Sequence, residues 1–150
     1  MEPNLVCEQC GASLAEGRTC QDDFHQLLFW EAENPEFWQV HHLTVLCYHL
    51  QHPNSYSAEG LAGAKKLLVD FLEEGLTTED VRKHERHSLD SGNREWRVRG
   101  DESSRGKYRN PINWKISVRD VVLGGKQHYP DHVRKWANSI LDALRVSGNL

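Results

Sequence analysis

The sequence predicts an all-α protein, a bundle of four to five helices behind a short non-helical N-terminal unit. Three observations lead there. Apolar residues recur at i, i+3, i+4 and i+7 along most of the chain. No run of residues alternates apolar and polar strongly enough to read as a half-buried strand. Proline, asparagine and glycine stand where the helical periods stop. The 150 residues suffice for one core and not for two, so one domain over 1–150 is expected. Within it, 1–20 reads as a loop unit, 21–90 as helical hairpins, 91–115 as a basic loop and 116–150 as C-terminal helices.

Each element has its own signal. Residues 1–20 offer few core-forming side chains beyond Leu5, Val6 and Leu14. Asp22 and Asp23 supply an N-cap and a first-turn acid, and Phe24, Leu27, Leu28 and Trp30 follow at helical spacing. Asn34-Pro35 breaks that helix and opens a second over roughly 36–51, since proline suits a first helical position. This second helix is apolar nearly all round, as a central helix is. His52-Pro53-Asn54 ends it. Ser57 opens a third, with Leu61, Ala64, Leu68, Phe71 and Leu72 in one stripe and Gly75 as its stop. Thr78 begins a short fourth helix to about Leu89. Basic residues then crowd 94–115 around Gly92, Gly100, Gly106 and Pro111, which reads as a long loop or a weak hairpin. Ser117 to Asp120 is a variant capping box for a helical turn that Gly124-Gly125 stops. The last helix, about 130–146, carries Val133, Trp136, Ala137, Ile140, Leu141 and Leu144 on one face.

Composition narrows the functional classes. Hydrophobic residues are 38% and charged residues 27%, ordinary for a soluble globular chain. No apolar run approaches the roughly 20 residues that span a bilayer, so no membrane association is expected. Met1 to Cys10 lacks the basic and apolar regions of a secretory signal, which points to the cytoplasm. There, cysteines are expected free or metal-bound rather than paired. Residues 1–60 hold nine acidic groups and one basic group, Arg18, so the chain has an acidic front and a mildly basic back. The two could attract each other within a chain or between two copies, as in a homodimer. A pI near 6.1 argues against a nucleic-acid protein, although Trp96, Tyr108 and Trp114 interleave the basic segment as in single-strand binders.

Cys7-Glu8-Gln9-Cys10-Gly11 is the sharpest local signal. A two-residue spacer lets two thiolates of one tight turn bind the same ion at about 2.3 Å, and the glycine lets the backbone turn so that amides face the sulfurs. Cys20 follows at the start of helix one, where the positive end of the helix dipole favours a thiolate. The fourth ligand follows from register. If helices one and two form an antiparallel hairpin about Asn34-Pro35, Cys20 lies level with His49 to His52, while His41 sits about 12–16 Å further along. His52 is preferred because it follows the helix end and can swing towards the loop; His49 comes second and His25 third. A metal quartet of Cys7, Cys10, Cys20 and His52 holding Zn2+ is the resulting expectation, and it would staple the N-terminal loop to the bundle.

Other candidates have plainer readings. Cys47, inside an apolar helix, is expected to be a small core residue. One of His41 and His42 should face inward and satisfy a hydrogen bond. Asp80, His84 and His87 share a helix face that reads as solvated. No phosphate loop, dinucleotide fingerprint, nucleophile elbow or His-Glu-x-x-His is present.

Several segments together resemble a known family. They are Cys7-x-x-Cys10-Gly11-Ala12, Cys20 before a helix, Val40-His41-His42-Leu43-Thr44-Val45, Tyr48-x-x-Gln51-His52-Pro53, Ile116-Ser117-Val118-Arg119-Asp120-Val121 and Val133-Arg134-x-Trp136-Ala137. The chain is similar over nearly its whole length to an uncharacterised bacterial domain-of-unknown-function family of small, mostly helical proteins. The resemblance implies that His41 and His52 match family histidines, and it transfers no activity. It leaves two expectations. In the first, zinc is structural and the protein is an interaction module with a protein partner. In the second, the chain is a small metal- or histidine-dependent enzyme with a polar pocket between helices around His41, Asp120 and His128.

Overall fold

The structure, a computed structural model, describes residues 5–15, 17–83 and 106–150. It is all-helical apart from a two-stranded antiparallel ribbon, β1 (Leu5–Val6) and β2 (Ser13–Leu14), with Leu5 opposite Leu14 and Val6 opposite Ser13. The ribbon brackets the Cys7–Cys10 turn. It was not foreseen, because two-residue strands leave no periodicity to read.

Helix α1 (Cys20–Glu33) starts two residues before the Asp22 cap that the sequence suggests. Thr19 is the cap: its hydroxyl accepts from the Asp22 amide, and the Asp22 carboxylate accepts from the Thr19 amide at 2.8 Å. Asp23 instead is fully buried and pairs with Arg18 at 2.7 Å and Arg119 at 3.4 Å. The expected second helix divides in two. Pro35–Val40 is a 3-10 segment, and α2 runs over His41–Gln51. The antiparallel register of α1 and α2 holds nonetheless, with Phe24 stacked on Tyr48 at 4.2 Å and His41 beside Glu31.

Helix α3 (Ala58–Glu73) is capped by Ser57, and Gly75 follows it at φ +71°, a left-handed stop. Residues 78–83 belong to α4, whose expected end near Leu89 lies outside the described residues, as do His84, His87 and the basic positions through Arg105. Helix α5 (Val118–Leu123) begins with the expected Ser117–Asp120 capping box. Helix α6 (Tyr129–Val146) closes the fold.

Helix α2 lies at the centre, packed against α1, α3 and α6. Trp136, Ile140 and Leu144 of α6 meet Leu50 and Cys47 of α2 in the fully buried core. Cys47 is thus a core residue, and burial pushes its thiol well up. Gln51 is also fully buried, and its amide has partners at both ends. Its Oε1 accepts from Trp136 Nε1 at 3.2 Å, and its Nε2 donates to the Ile116 carbonyl at 2.6 Å. The acidic front and basic back meet inside the chain, through Arg119–Asp23 and Lys126–Glu33 at 3.7 Å. Among the described residues no helix is long and apolar enough to cross a membrane.

Candidate metal centre

The Cys7–Cys10 turn is fixed by its own backbone. The Cys7 amide donates to the Ala12 carbonyl and the Gly11 amide to the Cys7 carbonyl, both at 2.9 Å. Gly11 adopts φ +76°, which a side chain would resist, and so returns the chain to β2. Gln9, between the cysteines, ties the turn to the bundle: its side-chain oxygen accepts from the Asn54 amide at 3.2 Å and its carbonyl from Trp114 Nε1 at 3.2 Å. Cys20 opens α1 beneath the turn. His52, just past the end of α2, completes the group because Pro53 prevents the helix from continuing.

One ligand atom from each of Cys7, Cys10, Cys20 and His52 lies within 4.8 Å of all the others. Cys7 Sγ is 3.6 Å from His52 Nε2, and Cys10 Sγ is 3.6 Å from Cys20 Sγ. Cys10, Cys20 and His52 are buried and Cys7 is half-buried. This cluster could hold a metal ion. His52 Nδ1 lies 2.6 Å from the Tyr48 carbonyl oxygen, which can only accept. The proton therefore sits on Nδ1, and the Nε2 lone pair is turned to the sulfurs. The Tyr48 ring stacks on His52 at 4.3 Å and holds its plane.

A hydrogen bond from the Cys20 thiol holds Cys10 down to about 4 against the opposing effect of burial. The same bond, together with burial and the neighbouring sulfurs, pushes Cys20 well above the usual thiol range. One hydrogen bond couples the two sulfurs, and a bound cation would favour the thiolate form of both.

The structure leaves the other candidates elsewhere. His49 packs edge-on to Phe24 and Tyr56 at 5.9 and 5.2 Å, and His25 is exposed on α1; neither joins the cluster. Asp80 caps α4 by accepting from the Thr77 amide at 3.0 Å. Asp120 is held in the Ser117 box, and His128 is exposed at φ +61° before α6. His41 is half-buried against Glu31. A cleft of about 850 Å³ around Trp38, Arg82 and Arg134 is lined by none of the three residues His41, Asp120 and His128. A second cleft, of about 430 Å³ and beside Cys10, is lined by Asp120 alone of them. Tyr108 donates to the Leu50 carbonyl and meets Trp114 edge-on at 5.9 Å, and Trp114 Nε1 donates to the Gln9 carbonyl.

Sequence reasoning missed the buried group around Glu31. Its carboxylate accepts from Tyr129 Oη at 2.5 Å and from His41 Nδ1 at 2.8 Å, and Thr44 Oγ1 stands 3.2 Å from the same tyrosine oxygen. A glutamate in helical step with Phe24, Leu27 and Trp30 on the inner face of α1 was the available signal.

Residues 5–145 match the family of unknown function DUF5946, and the chain belongs to that family. No curated protein and no solved structure matches it.

Proposed function

We propose that this DUF5946 member binds one zinc ion through Cys7, Cys10, Cys20 and His52, and that the ion is structural. One observation carries the reading, the spacing of the four ligand atoms. A tetrahedral ion with Zn–S near 2.3 Å and Zn–N near 2.1 Å needs S···S edges of about 3.8 Å and S···N edges of about 3.6 Å. The Cys7–His52 and Cys10–Cys20 edges are each 3.6 Å, and every edge is within 4.8 Å. Three sulfurs and one imidazole favour zinc over magnesium or calcium, which prefer oxygen. Four protein ligands leave no open position for a water, and three thiolates weaken the ion as a Lewis acid.

The ion would then join three parts of the chain: the knuckle between β1 and β2, the first turn of α1 and the end of α2. Stabilised in this way, the protein acts through its surface, as an interaction module for a protein partner. A cytoplasmic location accords with this reading, since three thiolates persist as ligands in a reducing compartment. Elemental analysis of protein purified under reducing, chelator-free conditions tests the proposal directly.

The enzyme alternative has one observation in its favour. Glu31 orients His41 through Nδ1, as a carboxylate orients a general base. Glu31 is shared with the buried Tyr129 hydroxyl, and neither of the two clefts described above is lined by Glu31 or His41, so the structural zinc reading is preferred. Substituting His41 in an assay for any activity found would separate the two.

A further inference from the structure

We propose that Cys10 and Cys20 form an oxidative modification site, where a hydroperoxide converts the two thiolates to a disulfide and frees the metal ion. Release of the ion rests on the zinc reading above; formation of the disulfide rests on the geometry of the two sulfurs alone.

The three sulfurs all lie within 4.8 Å of one another, and the Cys10–Cys20 pair is in direct contact. Cys10 Sγ and Cys20 Sγ are 3.6 Å apart, and closing to a bond near 2.0 Å needs about 1.6 Å of approach, within reach of χ1 adjustment. They come from different elements, the knuckle and α1, so the bond would replace the ion as a staple between them. Cys7 Sγ lies 3.6 Å from His52 Nε2. Cys7 is the more exposed sulfur, but Cys10, although buried, lines a cleft of about 430 Å³ together with Lys115, Arg119 and Asp120, large enough for a small peroxide. Cys47 is fully buried in the core and has no such approach.

The chemistry balances with hydrogen peroxide as the named oxidant. The Cys10 thiolate attacks one peroxide oxygen, the O–O bond breaks, and the hydroxide that leaves takes a proton to become water. Cys10 is then a sulfenic acid. The Cys20 thiolate attacks that sulfur, the S–S bond forms, and the second hydroxide leaves and is protonated. Two sulfurs lose two electrons, and one peroxide becomes two waters. Cys7 and His52 remain, and two ligands hold zinc far more weakly than four.

The test treats the zinc-loaded full chain with graded hydrogen peroxide while a colorimetric chelator reports free zinc. Peptide mapping without reduction then reports the bonded cysteines. The expected result is zinc release in proportion to a Cys10–Cys20 disulfide, both reversed by dithiothreitol with added zinc. A Cys7–Cys10 disulfide formed first, or release accompanied only by sulfinic and sulfonic acids, would overturn the proposal. So would four intact thiols at peroxide levels that oxidise free cysteine. Chelator-stripped, reduced protein run in parallel is expected to form the same disulfide. Protein that never held zinc but still forms it would remove the zinc reading and keep the modification site.

Discussion

His52 Nδ1 donates to the Tyr48 carbonyl at 2.6 Å, one helical turn back along α2. This bond assigns the tautomer of the imidazole and aims Nε2 at Cys7, 45 residues away in sequence. A histidine inside the helix, such as His49, finds its own turn's carbonyls already engaged; one just past the end can use the carbonyl that the helix leaves open. The end of α2 is therefore what makes His52 a ligand candidate.

Substituting the histidines in turn tests that assignment. His52→Ala is expected to weaken zinc binding at least 10–100-fold, the range known for losing even a supporting contact. His49→Ala and His25→Ala should bind zinc as the parent does. Competition with a chelator of known affinity measures all three, and full affinity in His52→Ala alongside loss in His25→Ala would place the site within the N-terminal segment alone.

Cys7→Ser and Cys10→Ser should each lower the melting temperature by about 5 °C or more, corresponding to roughly 2 kcal/mol for a chain of this size. Far-ultraviolet circular dichroism should show unchanged helix content, because α2 makes its main helix contacts with α6, α3 and α1. Variants that melt within a degree or two of the parent and keep their metal would remove the site.

Gln51→Ala should destabilise the fold by about 2–4 kcal/mol, since it leaves the buried Trp136 indole and the Ile116 carbonyl without a partner. Denaturant unfolding measures this. Zinc stoichiometry should stay at the parent's value, because both ends of the amide are engaged by Trp136 and Ile116 and Gln51 is outside the ligand cluster.

Burial raises Tyr48, Tyr56, Tyr108 and Tyr129, and all four contribute to the alkaline pH dependence. Burial and the Glu31 carboxylate push the Tyr129 hydroxyl well above the usual tyrosine range. A group with a raised folded-state pKa contributes stability that is complete below its unfolded value, near 10, and is lost as pH rises above it. The melting temperature should therefore fall between pH 9 and pH 11. Tyr129→Phe should be less stable at pH 7, having lost a hydrogen bond to Glu31, yet show a shallower alkaline slope. Equal slopes in the two proteins would contradict this.

Much of the architecture was legible from side-chain periodicity. The stripe from Val133 to Leu144 marks α6 as core-facing, and all six of its apolar residues are buried. The knuckle was legible through the two-residue spacer and its glycine, and the position of His52 through the register of two helices. What could not be read depends on tertiary contacts. The 3-10 segment at Pro35–Val40 keeps the apolar spacing of a helix and differs only in hydrogen bonding. The Glu31–Tyr129 and Gln51–Trp136 bonds join residues 98 and 85 positions apart. Thr19 was passed over because Asp22 is an equally good cap by type, and only the reciprocal bonds reveal which residue stands outside the helix.

The metal content of the purified protein tests the central claim most directly. Protein kept reduced and free of chelator, analysed by inductively coupled plasma mass spectrometry against a quantified chain concentration, should carry about one zinc per chain. Well under half an equivalent of zinc, with no other metal making up the difference, would contradict the account.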